Sequence, residues 1–336
     1  MTGPRRVSRA SSKSGRRHGT HGAPVRRTGG SHLIARARRA WDSDLAWSFR
    51  QSPVAMLAAL LTLLCVGGAL FAPWLAPTNP FDSAALNLSD GFTPPAWTEK
   101  GQAKYLLGTD DQGRDLLSTI LYGARISLAV GVASVLLSMA MGVGLGLVAG
   151  YAGGRLDAFI MRVADIQLSF PAILIALLID GVARIVLPRE THDSIAVYVL
   201  IVAIGLSKWV DFARTVRGST LVERQKEYVQ AARVIGRSQA SIMFRHVLPN
   251  VMGPVLVIAT IHLALAIITE ATLSFLGVGV PPHQALAGHA DPVGNDFMLS
   301  GEWWITVFPG AALIVLVLSV NLLGDWLRDA LNPRLR

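Results

Sequence analysis

From about residue 54 onward, long apolar runs alternate with short polar segments. A helix needs about 20 consecutive apolar residues to cross a hydrocarbon core of about 30 Å. Six runs meet that length, near 54–76, 126–150, 158–187, 194–213, 251–276 and 304–324. The first two, VAMLAALLTLLCVGGALFAPWLA and ISLAVGVASVLLSMAMGVGLGLVAG, carry no charge. The third and fourth contain Arg162, Asp165, Asp180, Lys208 and Asp211, so their ends are less sharply drawn. None shows the period-two alternation of barrel strands. The pattern predicts an all-α, polytopic membrane protein with six transmembrane helices. Pro171 lacks a backbone donor and is expected to bend the third span or to begin its helical part.

Composition agrees with lipid as the solvent. Hydrophobic residues make up 51% of the 336 and charged residues only 16%, against about 25% charged in soluble domains. The net charge of +9 is concentrated in residues 1–50, where Arg5, Arg6, Arg9, Lys13, Arg16, Arg17 and further arginines face only Asp42 and Asp44. That segment, rich in Gly, Ser and Arg, has too little apolar surface to offset the entropy of ordering and is expected to be a disordered tail. Such a tail serves either to bind anionic lipid or nucleic acid, or only to set topology; the second reading is favoured, and no nucleic-acid partner is expected. Its opening PRRVSRA lies some forty residues before the first apolar run, too far for a twin-arginine export signal. Cys65, the single cysteine, lies within the first span and reads as a small packing residue.

Cationic residues gather in loops that stay in the cytoplasm. The tail, the 151–157 turn, the 214–250 loop and the C-terminal Arg328, Arg334 and Arg336 therefore predict cytoplasmic termini. Segment 277–303, with Asp291, Asp296 and Glu302 and no Lys or Arg, and the mixed loop 77–125 are expected outside. Trp303 and Trp304 suit either the headgroup level or core packing.

Within the cytoplasmic loop, Tyr228, Ala231, Ala232 and Ile235 follow helical spacing and predict one apolar face, opposite Lys226, Gln230, Arg233 and Arg237. Gly236 is placed to end this helix in a left-handed turn. Ser238 is placed to cap a second short helix through Met243 and Phe244, and Pro249 suits the first turn of the next span.

Chemistry-bearing patterns are few. The chain has no G-x-x-x-x-G-K-[ST] phosphate loop, and its histidines make no H-E-x-x-H set. Asp110–Asp115 lacks the ligand spacing of an EF-hand and reads as a turn into a helix. No catalytic residue, metal site or bound cofactor is expected of this chain. Ionisable groups within spans are expensive and need a reason. Arg162 with Asp165, and Lys208 with Asp211, are spaced to neutralise each other. His262 and Glu270 lie about two turns apart on the fifth span and either face an aqueous path or join helices. Gly142, Gly146 and Gly150 recur every four residues and predict close helix packing, within the chain or with a partner.

EYVQAARVIG (227–236) followed by RHVLPN (245–250) resembles the EAA loop of ABC-importer permeases, in the form found in the dipeptide and oligopeptide (and nickel) permease family. LLGTDDQGRDLLSTILYGARISLAVG, LDAFIMRVADIQLSFPAIL, EATLSFLGVGVPP and NLLGDWLRDALNPRLR resemble further segments of that family in order. The resemblance covers most of 50–336 and implies the fold of a type I ABC importer permease, in a prokaryotic cell membrane. It implies that Glu227, Tyr228, Ala231, Ala232, Gly236, His246, Leu248 and Pro249 couple to a cytosolic ATPase, which holds the ATP and Mg. It implies a second homologous permease, of which this chain is the C-type companion, and an extracytoplasmic binding protein. Substrate, in such a family, ranges over dipeptides, longer peptides, nickel complexes and sugars. Two features depart from the pattern: the basic tail is longer, and 283–299 lacks the Pro-Ser-Trp-Gly-like turn. The competing class is an ion-gradient-driven secondary transporter or channel working through Glu270, Asp165 or Asp180.

Overall fold

A computed structural model describes residues 44–82, 87–275 and 301–331. The basic tail up to residue 43, the outer stretch 283–299 and the end 332–336 lie outside the described residues. The chain divides into two compact units, Met1–Trp47 and Ser48–Arg336; the second holds the apolar helices. The described part opens with α1 (Asp44–Gln51), so the last residues assigned to the tail are helical. Phe49 anchors its end, edge-on to Trp326 at 5.1 Å.

Five helices are long and apolar enough to cross a membrane among the described residues, and six if one bent pair counts as a span. Helix α2 (Pro53–Leu70) starts with Ser52 accepting the Ala55 N–H at 3.2 Å and a proline in the first turn, where no donor is lost. The short α3 (Ala72–Leu75) follows. Helix α4 (Leu116–Ala152) begins ten residues earlier than the apolar run suggests, because Asp115 caps it by accepting the Ser118 N–H at 2.8 Å. The predicted third span is two helices, α5 (Gly154–Leu168) and α6 (Ala172–Val186), set at 90°. Pro171 stands at the N-cap of α6, where its missing donor and fixed φ separate the two.

Helix α7 (Arg189–Glu223) runs well past the predicted 194–213. Hydropathy ends a span at charges such as Arg214 and Arg217, but those side chains do not break a helix. Then come α8 (Glu227–Val234), α9 (Gln239–Ile242), a π segment (Met243–Val247), α10 (Leu248–Phe275) and α11 (Trp304–Leu331). The described residues contain no strand, only an isolated bridge between Thr109 and Asp115.

Between helices in lipid, apolar burial gives no gain over contact with acyl chains, so close packing decides. The glycine stripe of α4 meets α7 in step. A Cβ at Gly142 would stand 2.5 Å from the Trp209 carbonyl oxygen, one at Gly146 would collide with the Ala213 backbone, and one at Gly150 would reach 2.8 Å from the Arg217 carbonyl. Each advance of four residues on one helix is matched on the other, so the two run parallel as one rod. The stripe therefore packs within this chain. Ser138 Oγ donates to the Gly205 carbonyl at 2.9 Å along the same seam. A continuous core joins Val130 and Leu147 of α4, Leu200, Phe212 and Val216 of α7, and Val251 and Val255 of α10. By contrast Leu57, Leu60, Leu63 and Leu64 of α2 stay exposed, as lipid-facing residues do.

At the N-terminal end of α4, residues 87–115 fold back on themselves. Asp110 accepts the N–H groups of Gln112 and Arg114 at 2.9 and 2.8 Å and pairs with Arg114 Nε at 2.5 Å. Thr109 Oγ1 donates to the Asp90 carbonyl at 2.6 Å, and Tyr105 donates to the Asp90 carboxylate at 2.8 Å. Gly108 and Gly113 supply left-handed turns with φ of 87° and 77°. The segment is the turn into a helix that its sequence suggests, with Asp110 closing a loop around its own backbone. Trp304 is buried against it and donates to the Thr109 carbonyl at 3.1 Å, whereas Trp303 is exposed.

Candidate functional site

The opposite end of the bundle carries a helix-turn-helix hairpin, residues 224–247. Its first helix, α8, has Glu227 in the first turn and Arg233 in the last, both favourable to the helix dipole. It ends as a Schellman motif. The Gly236 N–H donates to the Arg233 carbonyl at 3.0 Å and the Arg237 N–H to the Ala232 carbonyl at 3.1 Å. Gly236 sits at φ 79° with open space where a Cβ would stand, so backbone conformation alone demands glycine there. Ser238 caps α9, accepting the Ser241 N–H at 3.3 Å. The second helix then widens into the π segment before Leu248 and Pro249 open α10.

Only a narrow stripe of α8 faces inward. Val229 and Ala232 are buried, together with Ile242 and Val247 of the second arm, in the core of α7 and α10. Of the apolar face read from spacing, Tyr228, Ala231 and Ile235 are exposed and Ala232 is buried. An eight-residue helix resting on two neighbours needs just an i, i+3 pair to attach it, so the remaining apolar residues are left outside. Val234 is 88% exposed and Ile235 77%, flanked in the chain by Arg233 and Arg237, and Phe244 of the second arm is exposed as well.

Polar contacts clamp the hairpin to three helices. Tyr228 donates to the Glu223 carboxylate, the last residue of α7, at 2.6 Å, and Lys226 pairs with the other oxygen at 2.5 Å. Asn250, in the first turn of α10, donates to Tyr228 Oη at 3.2 Å and to the His246 carbonyl at 2.6 Å. Tyr151, at the end of α4, donates to Gln239 at 2.5 Å, and Arg233 lies over its ring at 5.6 Å. Arg224 donates to the Gly150 and Tyr151 carbonyls at 2.9 and 3.2 Å, satisfying the free C-terminus of α4. Partial burial, then the hydrogen bond to Glu223 and its negative charge, push the Tyr228 phenol up to about 12. It stays a neutral donor throughout the physiological range.

Sequence reasoning named Tyr228, Gly236, His246 and Pro249 but missed Glu223, Tyr151, Arg224 and Val229. Tyr151, Arg224 and Val229 act across the fold, where no local spacing marks them, and Glu223 acts just before the helix whose spacing was read. Asn250 stood in the RHVLPN stretch, where its amide gave no sign of reaching back over 22 residues to Tyr228.

The ionisable residues within the spans pair differently from expectation. Asp165 binds Arg214 of α7 at 2.5 Å, in place of Arg162 one turn away. Asp157 makes a two-point contact with Arg217 at 2.5 and 2.7 Å. Gln167 bridges the Leu206 carbonyl and Trp209 Nε1 at 2.6 and 2.7 Å, so α5 is fastened to α7 along its length. Asp211 faces His262 across to α10, Nε2 to Oδ2 3.4 Å, rather than Lys208. Glu270 is fully buried, accepting from Ser127 and Ser274 at 2.6 and 2.9 Å; it joins α4 to α10 and lies on no open face. Among the described residues no group of His, Cys, Asp or Glu is arranged to hold a metal ion.

A helical membrane bundle of paired rods, carrying a hairpin clamped across one end, defines the class: a membrane permease. The chain belongs to the family of binding-protein-dependent transport system inner membrane components, whose pattern matches residues 142–336; the N-terminal TM domain of oligopeptide transport permease C matches residues 39–95. It is 39% identical over 289 residues to the di/tripeptide transport system permease protein DppC of Pseudomonas aeruginosa, covering 86% of this chain and 91% of that one. It is 34% identical to the oligopeptide transport system permease protein OppC of Bacillus subtilis, covering 92% and 94%. With the glutathione transport system permease protein GsiD of Pectobacterium atrosepticum it shares 38%, covering 86% and 89%. Among solved structures, an inward-facing conformation of the MetNI methionine ABC transporter matches with a TM-score of 0.50 at 20% identity, over 64% of this chain and 96% of that one. That likeness concerns the fold. These relatives are permease subunits, not enzymes.

Proposed function

We propose that this chain forms half of the translocation pathway of an ATP-driven peptide importer and couples that pathway to a cytosolic ATPase through the 224–247 hairpin. The carrying observation is the hairpin itself. Its base is tied to α4, α7 and α10 at once through Arg224, Tyr228 and Asn250, while Val234 and Ile235 stand exposed at its turn between Arg233 and Arg237. An apolar tip with a basic rim suits a groove in a partner protein, and a base fixed to three spans transmits a push without slack. The push is a partner's differential contact with two states of the bundle. Both termini and the hairpin lie in the cytoplasm, ATP and Mg are held by the partner, and a second permease supplies the other half of the path. An extracytoplasmic binding protein delivers the cargo. Peptides are the cargo class that the DppC and OppC relatives suggest.

The ion-gradient reading rests on Glu270, Asp165 or Asp180 as its free carboxylate. Asp165 and Asp180 are each held by an arginine, and Glu270 is enclosed by hydroxyl donors. The test is co-purification of the ATPase chains with the permease pair. Gly236→Trp and Ile235→Asp are expected to leave the chain in the membrane, release the ATPase and abolish uptake. Retention of both association and uptake in Gly236→Trp would remove the hairpin from this role.

A further inference from the structure

Lys208 and Asp211 stand three apart on α7, where side chains share a face, yet they form no ion pair with each other among the described residues. Asp211 reaches only His262, and its side chain remains 47% exposed. His262 is 8% exposed, and its Nδ1 is buried without a hydrogen-bond partner. Phe212, adjacent to Asp211, packs tilted against the His262 ring at a centroid distance of 5.0 Å.

Depth makes this cluster unusual. His262 lies about 21 Å along α10, near its midpoint, and Lys208 and Asp211 lie about 28 and 33 Å along the longer α7, counting about 1.5 Å per residue. All three fall inside a hydrocarbon core of about 30 Å centred on either helix. Open charges at that depth do not face lipid; they face water or another protein chain. Elsewhere on α7 the arginines Arg214 and Arg217 are matched by carboxylates of α5. Of this opposite-sign pair, Asp211 meets only the His262 imidazole, and Lys208 meets no carboxylate among the described residues.

A path for anions or for cations would show one sign. Two opposite charges held apart within a helical turn fit a zwitterion whose charged ends are a few ångströms apart, as in a free dipeptide. We infer that Lys208 and Asp211, steadied by His262, form a mid-membrane station in the translocation path for the termini of a peptide. Asp211 takes the ammonium and Lys208 the carboxylate. This inference rests on the peptide-importer reading above and assigns its path a place on this chain.

Uptake of L-alanyl-L-alanine by the complete complex, with its second permease, ATPase chains and binding protein in proteoliposomes, tests it. Capture by the binding protein sets KM, and passage through the station sets kcat. Asp211→Asn and Lys208→Met should each lower kcat about tenfold with KM unchanged and with the second permease still co-purifying. Asp211→Glu should restore most of the rate. In a Cys65→Ser background, Asp211→Cys should react with a charged, water-borne thiol reagent in at least one of the nucleotide-free and ATP-bound states. Rates within twofold of wild type in both neutral variants, or no labelling in either state, would overturn the station while leaving peptide import intact. Loss of the second permease from the variants would instead assign these charges to subunit pairing and equally overturn it. A wild-type complex that moves no peptide overturns the peptide reading and the station together.

Discussion

At one end of the helices, residues 87–115 turn their charges inward; at the other, the 224–247 hairpin is tied down by polar contacts and turns apolar side chains out. Asp110 and Arg114 are 1% and 4% exposed and are engaged with each other and with their own loop. Val234, Ile235 and Phe244 touch little of their own chain. Both regions join the same helix, α4, through Asp115 at its start and Tyr151 at its end. The contrast separates two tasks. A segment that must hold one shape satisfies its polar groups internally, whereas a segment that receives a partner needs a stiff base and a tip left unsatisfied.

The comparison breaks most severely at the inward-turned end. Arg114→Ala leaves the Asp110 carboxylate buried without its cation and is expected to destabilise the chain by about 3–5 kcal/mol. Thermal unfolding in detergent checks this, and whatever protein remains folded should keep its normal ratio of ATP used to peptide moved. The rod that links the two ends comes next. Gly146→Leu drives a side chain into the Ala213 backbone, and overpacking of this kind costs about 1–3 kcal/mol. Separation of α4 from α7 should appear as a lower melting temperature and a raised ratio of ATP to peptide together.

Smaller still is Tyr228→Phe, which removes the donor to Glu223 and loosens Asn250. Its effect on stability is on the order of 1 kcal/mol. The informative readout is coupling: ATPase association should persist while peptide moved per ATP falls. Smallest is a pH effect. The Tyr228 phenol is pushed up to about 12 in the folded chain, above its ordinary value of 10.0. Its contribution is therefore fully present below pH of about 10 and is lost as pH rises through about 12. Phenolate absorbance of the wild type minus that of Tyr228→Phe should show a midpoint near the higher value; a midpoint at the ordinary one would mean that the phenol is neither buried nor bonded to Glu223.

Much of the fold was legible because lipid imposes a strong signal. Spans, the break at Pro171, the left-handed turn at Gly236 and the close-packing stripe at Gly142, Gly146 and Gly150 all follow from local chemistry. Helix ends were less legible, since a hydropathy scan stops at Arg214 while the helix continues to Glu223. Least legible were partners across the fold. Arg162 and Asp165 are neighbours in sequence, yet α7 brings Arg214 to Asp165, and only the packing of α5 on α7 reveals it. Which residues of α8 turn inward was not legible for a related reason. Ala231 and Ile235 are as apolar as Val229, and which of them turns inward depends on where α7 and α10 lie.

The central claim is that the hairpin tip meets an ATP-hydrolysing partner. Ile235→Cys in a Cys65→Ser chain, assembled in cells and labelled at that thiol with a photo-cross-linker joined through a cleavable disulfide, tests it directly. The account predicts a cross-linked species containing this chain and the ATPase, whose formation locks uptake and is reversed by reduction. A cross-link to no other chain, or one that forms while uptake continues at the full rate, would contradict it.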